Sequence, residues 1–350
     1  MKQYTFLIDI NHPAHVHFFK NLILELKRLG HSVIITAIDK DITINLLEEY
    51  GFTYLLAGCY GKKTIEKIAL IPYNDFMMYK IASQVRPDAL LGLASYKIGH
   101  AGRLLGKKVF VFDDTEHSTG EIMLYSPFAT AVFTPECFGA DLGKKQVRYA
   151  GYHELAYLHP NRYQPSPSLL HSLGLSENSV FSIVRFVSWQ ASHDRGVDGL
   201  TDDTKIAAIG AMKAFGPVFI TSEKKLPPGL EKYRLAIKPS QIHDLMAYAS
   251  LVYGESATMS SEAAILGVHS IFCDVCGRGY TDEEERRYGL VSNFRLDADS
   301  QSRSVAKISE LLSLPDLKSL GQRKRQKLLA EKIDVTAFIL KDLLSRMEQA

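Results

Sequence analysis

The sequence lacks an excess of charge of either sign. Its 350 residues include 41 basic and 39 acidic side chains, which gives a formal net charge of +2. Proteins that bind nucleic acid over a broad surface carry a clear basic excess, so no nucleic-acid partner is expected, although local basic patches are not excluded.

Long apolar runs are also missing. No run of about eighteen apolar residues occurs, so no membrane-spanning helix is expected. The first residues, MKQYTFLIDINHP, enter a strand pattern directly, without the apolar region and cleavage site of a secretion signal. Together these absences predict a cytoplasmic location.

Cysteine is scarce, with only Cys59, Cys137, Cys273 and Cys276. The last two form a single C-x-x-C at the end of a predicted strand, and no second pair accompanies them. Structural zinc sites need four ligands, so we expect reduced thiols here and no metal site.

What the sequence does contain is enough apolar residues, 46%, for two α/β domains. Regular patterns fade between residues 144 and 178, where Pro160, Pro165 and Pro167 accumulate, so the domain boundary is placed there. The predicted parts are a first domain at 1–148, a linker at 149–178, a second domain at 179–320 and a C-terminal helix at 321–350 near the domain junction.

Short apolar runs alternate with helical patterns throughout both halves, which predicts parallel, doubly wound sheets of the Rossmann type facing an interdomain cleft. Residues 130–133 are expected to be the last strand of the first half. Right-handed crossovers bring the carboxyl ends of all strands to one edge of each sheet, where ligands bind.

The stretch LVYGESATMSSEAAILGVHSIFCD, residues 251–274, reads as strand, small-residue turn, helix and strand. The Lys-Ser/Thr pair of a P-loop is missing, so an anion at this turn would be held by backbone N–H groups, the helix dipole and hydroxyls. The hydroxyls are those of Ser256, Thr258, Ser260 and Ser261, and Glu262 lies close enough to accept from a sugar diol. The alternative is a helix capped by Ser256 or Thr258, with Glu262 completing a capping box.

Ionisable residues follow two strands of the first half. His12, His15 and His17 stand between the first strand and its helix, and three histidines at such a switch favour a site over a structural role. Asp113 to His117 follow the strand at 109–112, which indicates a cleft, with a solvated loop as the alternative.

Three further segments leave alternatives open. In GYHELAY, His153 and Glu154 either face a ligand or tie the hinge. Arg185, at the end of a strand, is well placed to bind a diphosphate through its guanidinium group. The alternative is an ion pair with the nearby Asp194 or Asp198. Runs of charged residues usually lie on solvent-exposed faces, and this is expected for residues 284–287. The basic run 323–327 forms either such a solvated helix face or a contact with an anionic membrane surface.

The segment ESATMSSEAAILG resembles the nucleotide-sugar loop of the GT-B superfamily, particularly of UDP-N-acetylglucosamine 2-epimerases and peptidoglycan N-acetylglucosaminyltransferases. NHPAHVHFF and GYHELAYLHP resemble a bacterial and archaeal GT-B-like family over nearly the full chain. The resemblance implies that Ser256, Ala257 and Thr258 bind the diphosphate of a UDP-sugar and that Glu262 holds its ribose.

The resemblance assigns further roles. It implies that His15 lies near the transferred sugar and that Asp113 and, less closely matched, Glu121 are catalytic acids. Arg185 takes the place of a histidine that contacts phosphate in the epimerases, and His193, further into the same loop, is a further catalytic candidate. The resemblance also implies that Ile242 and His243 contact the uracil base. Arg278 and Thr281 would contact the phosphate and sugar of the donor. One departure is Gly92-Leu93-Ala94, which stands where the epimerases carry an aspartate.

Three functions are compatible with these residues. The first is a metal-independent glycosyltransferase of surface-glycan or envelope-polysaccharide synthesis, using a UDP-sugar donor and a glycan or lipid-linked acceptor, with His15, Asp113 or Glu121 as the base. A 2-epimerase would need three carboxylates, of which two are identified. A non-catalytic sugar-nucleotide binder would not need the clustered ionisable groups of the first domain. No cofactor is expected, and peripheral membrane contact and a homodimer stay open.

Overall fold

The computed structural model describes residues 2–61, 64–187, 199–222 and 225–349. The chain forms two compact units. The first unit is Met1–Arg162 together with Ile333–Ala350, and the second is Tyr163–Lys332. The last residues of the chain therefore belong to the first unit.

A seven-stranded sheet forms the centre of the first unit, and all of its neighbouring strands are parallel. Its strands are β1 (Thr5–Ile10), β2 (Ser32–Ala37), β3 (Leu55–Leu56), β4 (Ala89–Leu93), β5 (Lys108–Phe112), β6 (Ala131–Pro135) and β7 (Gln146–Tyr149), in the order β3-β2-β1-β4-β5-β6-β7. The strands β1, β4, β5 and β6 are almost entirely buried, as expected for the centre of a sheet covered on both faces.

The seventh strand corrects the expectation that residues 130–133 end the sheet. β7 pairs with β6 from Val132↔Gln146 to Pro135↔Tyr149. Its sequence, QVRY, shows no apolar run because an edge strand is only half covered. Periodicity alone could not identify it.

Helices connect the strands in both units. They are α1 (Pro13–Arg28), α2 (Thr43–Glu49), α3 (Thr64–Ala69), α4 (Ile71–Val85), α5 (Tyr96–Leu105), α6 (Thr119–Tyr125), α7 (Leu155–Leu158), α8 (Ser168–Ser172), α9 (Asp202–Lys213), α10 (Ile242–Met246), α11 (Ala257–Leu266), α12 (Gly279–Glu283), α13 (Ala298–Leu312), α14 (Leu317–Glu331) and α15 (Val335–Glu348). Within the described ranges, none is long and apolar enough to cross a membrane.

The second unit is built on a five-stranded parallel sheet. Its strands are β8 (Ser182–Phe186), β9 (Val218–Ser222), β10 (Leu251–Gly254), β11 (His269–Cys273) and β12 (Val291–Phe294), in the order β12-β11-β10-β8-β9. Leu251, Tyr253 and Ile271 lie in the apolar core beneath this sheet.

Each sheet has one topological switch point, where successive crossovers turn in opposite directions. In the first sheet it lies between β1 and β4, and in the second between β8 and β10. Ligands of doubly wound folds bind outside the carboxyl ends of the strands at such points. The two switch points are therefore the places to look for a site.

The basic run 323–327 docks α14 within the second unit. Arg325 Nε donates to the carbonyl of Ile265 at 2.7 Å, and Lys324 Nζ to that of Gly289 at 2.6 Å. Arg323 pairs with Asp316 at 2.9 Å. A cation at the carbonyl end of α11 is favourably placed in the helix dipole. These contacts assign the run a structural role within the unit.

Candidate functional site

The switch point of the second unit is formed by Arg185 and the turn after β10. Gly254 pairs with Arg185 in the sheet and has a φ of +148°, and a Cβ there would collide with the carbonyl oxygen of Arg185. The next residue, Glu255, accepts from the N–H groups of Val187 at 3.0 Å and Leu200 at 2.6 Å. The turn is thus fixed by the hydrogen bonds of Glu255, and it begins at a glycine because the neighbouring strand β8 leaves no room for a Cβ.

Arg185 lies inside β8 and is half-buried. Three residues named for this region lie outside the described residues: the catalytic candidate His193 and the alternative partners of Arg185, Asp194 and Asp198.

Ser256 is the N-cap of α11. Its side chain accepts from the N–H of Met259 at 3.3 Å, and no acidic residue lies in the first turn. Ala257 and Thr258 follow at the helix N-terminus and are half-buried. The positive end of the helix dipole therefore lies at the carboxyl end of β10, without a carboxylate in the first turn to neutralise it.

Glu262 does not complete a capping box, because it lies six positions after the N-cap Ser256 rather than three, and its carboxylate contacts another residue. Glu262 Oε1 lies 2.8 Å from Nε2 of His243, and both side chains are buried. His243 comes from α10, and its ring meets that of Tyr163 edge-on at 6.2 Å. The structure thus joins two residues that the sequence analysis assigned to ribose and uracil.

Arg278 and Thr281 lie after β11, at the same edge of the sheet. Arg278 Nη1 pairs with Asp274 at 2.9 Å, and the Thr281 hydroxyl accepts from the N–H of Arg278 at 3.3 Å. Thr281 is fully buried within α12. In this structure the two side chains stabilise the start of α12 through contacts with each other and with Asp274.

Glu284 contradicts the expectation of a solvated face at 284–287. Its side chain is fully buried, and its Oε1 accepts from the hydroxyl of Ser261 at 2.6 Å. Burial raises its pKa from 4.5 to about 8, so the carboxyl is largely protonated near neutral pH. Arg286 and Arg287 are exposed. Glu284 begins a π-helical turn, Glu284–Tyr288, in which Glu284 and Tyr288 are the buried residues, and a charge run in the sequence does not reveal this.

The switch point of the first unit holds a buried ion pair that the sequence analysis missed. Asp9, at the end of β1, lies 3.1 Å from Nζ of Lys97, and both side chains are at most 2% exposed. Asp9 also accepts from Ser95 at 2.6 Å, from Thr36 at 3.0 Å and from Asn11 at 2.7 Å. Such saturation offsets the desolvation of a buried pair.

The backbone after β4 brings Ser95 and Lys97 to this cluster. Ala94 has a φ of +42°, and its N–H donates to the carbonyl of Phe112 at 2.9 Å. A left-handed alanine is strained and persists only where its surroundings fix it. In the sequence, only the single lysine of SYKIGHAG, Lys97, hinted at this ion pair. Its partner Asp9 could not be identified because it lies in a strand 88 residues earlier (97 − 9).

The three N-terminal histidines have separate roles. His12 caps α1 by accepting from the N–H of Ala14 at 3.2 Å. His15 Nδ1 accepts from the N–H of Asn11 at 3.3 Å. His17 is buried, stacks on Tyr157 and lies 3.2 Å from the hydroxyl of Tyr50. Only His12 and His15 lie near the carboxyl end of β1.

Asp113 and Asp114, after β5, engage different partners. Asp113 is buried and accepts from the hydroxyl of Tyr125 at 2.5 Å and from the N–H of Thr115 at 2.9 Å. Burial raises its pKa from 3.8 to about 7, against the lowering effect of the Tyr125 hydrogen bond. Asp114 Oδ2 lies 3.0 Å from Nδ1 of His153.

His153 is a residue that the sequence analysis left open. It is buried, and its Nε2 has no hydrogen-bond partner within the described part of the chain. An aspartate that accepts from the Nδ1–H of a histidine leaves the ring's lone pair on Nε2. Glu121 lies in the first turn of α6, and its charge adds a small part to the rise that burial causes in the pKa of Tyr125 and Tyr96. Asp113, Asp114, His153 and Glu121 thus share one region of the first unit.

A metal site is not formed by these residues. In the ranges that the structure describes, no group of three or more histidine, cysteine or acidic side chains has the arrangement to hold a metal ion.

Two doubly wound parallel sheets, each with polar residues at its switch point, define a protein of the GT-B fold, as the resemblance implied. The chain belongs to the family described as protein of unknown function DUF354, which matches residues 4–343. Uncharacterized protein MJ0665 of Methanocaldococcus jannaschii is 23% identical over 282 residues, which cover 76% of this chain and 80% of that protein.

Solved structures confirm the fold. The UDP-GlcNAc 2-epimerase of Neisseria meningitidis bound to UDP-GlcNAc is similar with a TM-score of 0.69 at 12% identity, over 97% of this chain and 100% of that one. Spinosyn forosaminyltransferase SpnP is similar with a TM-score of 0.65 at 12% identity, over 99% and 100%. The fold is thus shared by an epimerase and a transferase, and it does not by itself select one activity.

Proposed function

We propose that the protein is a GT-B glycosyltransferase that uses a UDP-sugar donor, without a metal ion, in surface-glycan or cell-envelope polysaccharide synthesis. The observation that supports this most is the buried Glu262, oriented by His243 and following the Ser256-capped N-terminus of α11 at a switch point. The oxygens of a carboxylate can accept hydrogen bonds from both hydroxyls of a ribose diol. The N–H groups and positive dipole at a helix N-terminus bind a diphosphate.

Donor binding then follows from the residues at the second switch point. The diphosphate lies against the N-terminus of α11, with Ser256, Ala257 and Thr258 around it. Arg185 pairs with its oxygens, and Arg278 and Thr281 meet the donor after their local contacts rearrange. Helix dipole and guanidinium together stabilise the charge of the departing UDP, so no divalent cation is required.

Acid–base chemistry falls to the first unit. The acceptor, a glycan or a lipid-linked glycan, attacks the anomeric carbon through a hydroxyl oxygen; the bond from that carbon to the diphosphate breaks, and the hydroxyl proton passes to a base. Asp113 is the base we favour, because its pKa of about 7 balances proton affinity against the fraction ionised at neutral pH. Glu121 lies near Tyr125, the partner of Asp113.

The alternative is a UDP-GlcNAc 2-epimerase-like isomerase, which the similarity to the Neisseria enzyme favours. Its chemistry requires carboxylates that move the C2 proton. Asp9 lies beside Gly92, where the epimerases carry an aspartate, but four donors already saturate it. This saturation is why the transferase is preferred.

Incubation with UDP-GlcNAc in deuterated water separates the two. Release of UDP that requires a glycan acceptor and survives EDTA supports a metal-independent transferase. Deuterium at C2 of the sugar supports the epimerase and overturns the transferase. UDP binding without either reaction would reduce the protein to a sugar-nucleotide binder.

A further inference from the structure

The polar cluster at the end of β1 fixes the segment that leads into α1. Lys97 Nζ donates to the side-chain oxygen of Asn11 at 2.9 Å and to the carbonyl of Ala57 at 3.1 Å. The amide nitrogen of Asn11 donates to Asp9 at 2.7 Å. Both ends of the Asn11 side chain are therefore held by the buried Asp9–Lys97 pair, and the backbone of Asn11 has little freedom to rotate.

That backbone sets the protonation of His15. The N–H of Asn11 donates to Nδ1 of His15 at 3.3 Å, so Nδ1 must present a lone pair. A neutral imidazole carries its single proton on the other nitrogen. Nε2 of His15 is therefore a donor, whereas a histidine that acts as a base through Nε2 needs its proton on Nδ1.

Charged and titratable groups face His15 from four elements. Asp9 of β1 and Asp114 after β5 favour the imidazolium, while Lys40 after β2 and His153 before α7 oppose it. Burial outweighs all of them and lowers the pKa of His15 to about 3. The ring is consequently neutral over the physiological range.

We propose that His15 acts as a neutral hydrogen-bond donor, through Nε2–H, to an oxygen of the sugar nucleotide, and that Asp9, Asn11 and Lys97 are positioning residues that fix this tautomer. The identity of the ligand in this inference rests on the proposed function, whereas the tautomer of His15 does not. It removes His15 from the candidate bases and leaves that role to the carboxylates after β5. A neutral, fixed donor can stabilise charge that develops on oxygen without reorganising.

The tautomer is tested in the protein without ligand. Long-range ¹H–¹⁵N spectra of protein labelled in histidine, with His15 assigned by the signal lost in His15→Gln, should show an unprotonated Nδ1 and a protonated Nε2 from pH 5 to pH 8. A protonated Nδ1, or a ring that titrates near the ordinary pKa of about 6.5, would overturn the inference.

The positioning role is tested in the same spectra. Lys97→Met should convert the single tautomer into a mixture, whereas Lys80→Met, which removes an exposed lysine of α4, should leave it unchanged. Should Lys97→Met fail to fold, Asn11→Ala removes the same link at lower risk. An unaltered His15 signal in a folded Lys97→Met or Asn11→Ala variant would rule the positioning role out.

Activity provides a second readout. The amide N–H of glutamine can replace the Nε2–H of histidine, but glutamine cannot serve as a base. His15→Ala should lower kcat/KM by about 10²–10³-fold, the usual effect of losing one such donor. His15→Gln should stay within about 10-fold of the wild type on the same reasoning. Equal losses in both variants would contradict the donor role. If no sugar nucleotide reacts at all, the proposed function is wrong. The tautomer of His15 is then tested by the ¹H–¹⁵N spectra alone.

Discussion

His243 Nε2 lies 2.8 Å from Oε1 of Glu262, and this contact joins α10 to α11 beside the switch point of the second sheet. Both side chains are buried, so the carboxylate is held in one orientation. A carboxylate fixed in this way can accept from a diol with little loss of side-chain entropy on binding. The pair is therefore the best place to test nucleotide binding.

Glu262→Ala should weaken UDP binding by about 10–100-fold, because hydrogen bonds to a charged group contribute roughly 1.5–3 kcal/mol each. Isothermal titration calorimetry with UDP measures this. Glu310→Ala, which removes an exposed glutamate of α13, serves as the control and should bind like the wild type. Unchanged affinity of Glu262→Ala would show that the nucleotide lies elsewhere.

His243 can act through Glu262 or touch the base directly, and a double-mutant cycle separates these roles. If His243 positions Glu262, His243→Ala should weaken UDP binding in the wild type but change it little in the Glu262→Ala background, because contacting residues are coupled. Equal losses in both backgrounds would favour the direct uracil contact that the resemblance implies. The readout is again the dissociation constant of UDP.

Glu284→Gln should change the pH dependence of stability. Burial raises the pKa of Glu284 from 4.5 to about 8, so the folded protein holds a proton that the unfolded chain releases. Stability of the wild type therefore falls as pH rises through that window. Relative to the wild type, the variant should gain a few kcal/mol between pH 5 and pH 9, since each pKa unit corresponds to about 1.4 kcal/mol.

Urea unfolding at several pH values measures this difference, with Glu310→Gln as the exposed control. Parallel curves for Glu284→Gln and the wild type would mean that Glu284 ionises normally in the folded protein.

Asp113→Asn should remove the base. Because the pKa of Asp113 is raised to about 7, the fraction of ionised carboxylate, and with it kcat/KM, should rise with pH through that value in the wild type. The variant should lose about 10²–10⁴-fold and should lack this rise. Asp141→Asn, in an exposed turn of the first unit, is the matched control. A variant that keeps the same pH dependence would move the base to another residue.

Much of the fold follows from local patterns. The interior strands are short apolar runs bounded by polar residues, and α11 ends at Gly267, whose φ of +80° suits a helix C-cap. The edge strand β7 was missed because half of its residues face away from the core. Some of the residues at both switch points could be predicted from the sequence, because a parallel sheet places the carboxyl ends of its strands at one edge.

The sequence by itself determined the two α/β units, the small-residue turn before α11 and the polar segments after β1 and β5, because periodicity and turn chemistry are local. Only the tertiary structure decided the partners: Lys97 with Asp9, His153 with Asp114, His243 with Glu262 and Ser261 with Glu284. Each pair joins residues 19 to 88 positions apart, as the intervals 262 − 243 and 97 − 9 show. Burial then sets the pKa of His15, Asp113 and Glu284, and burial depends on the assembled core.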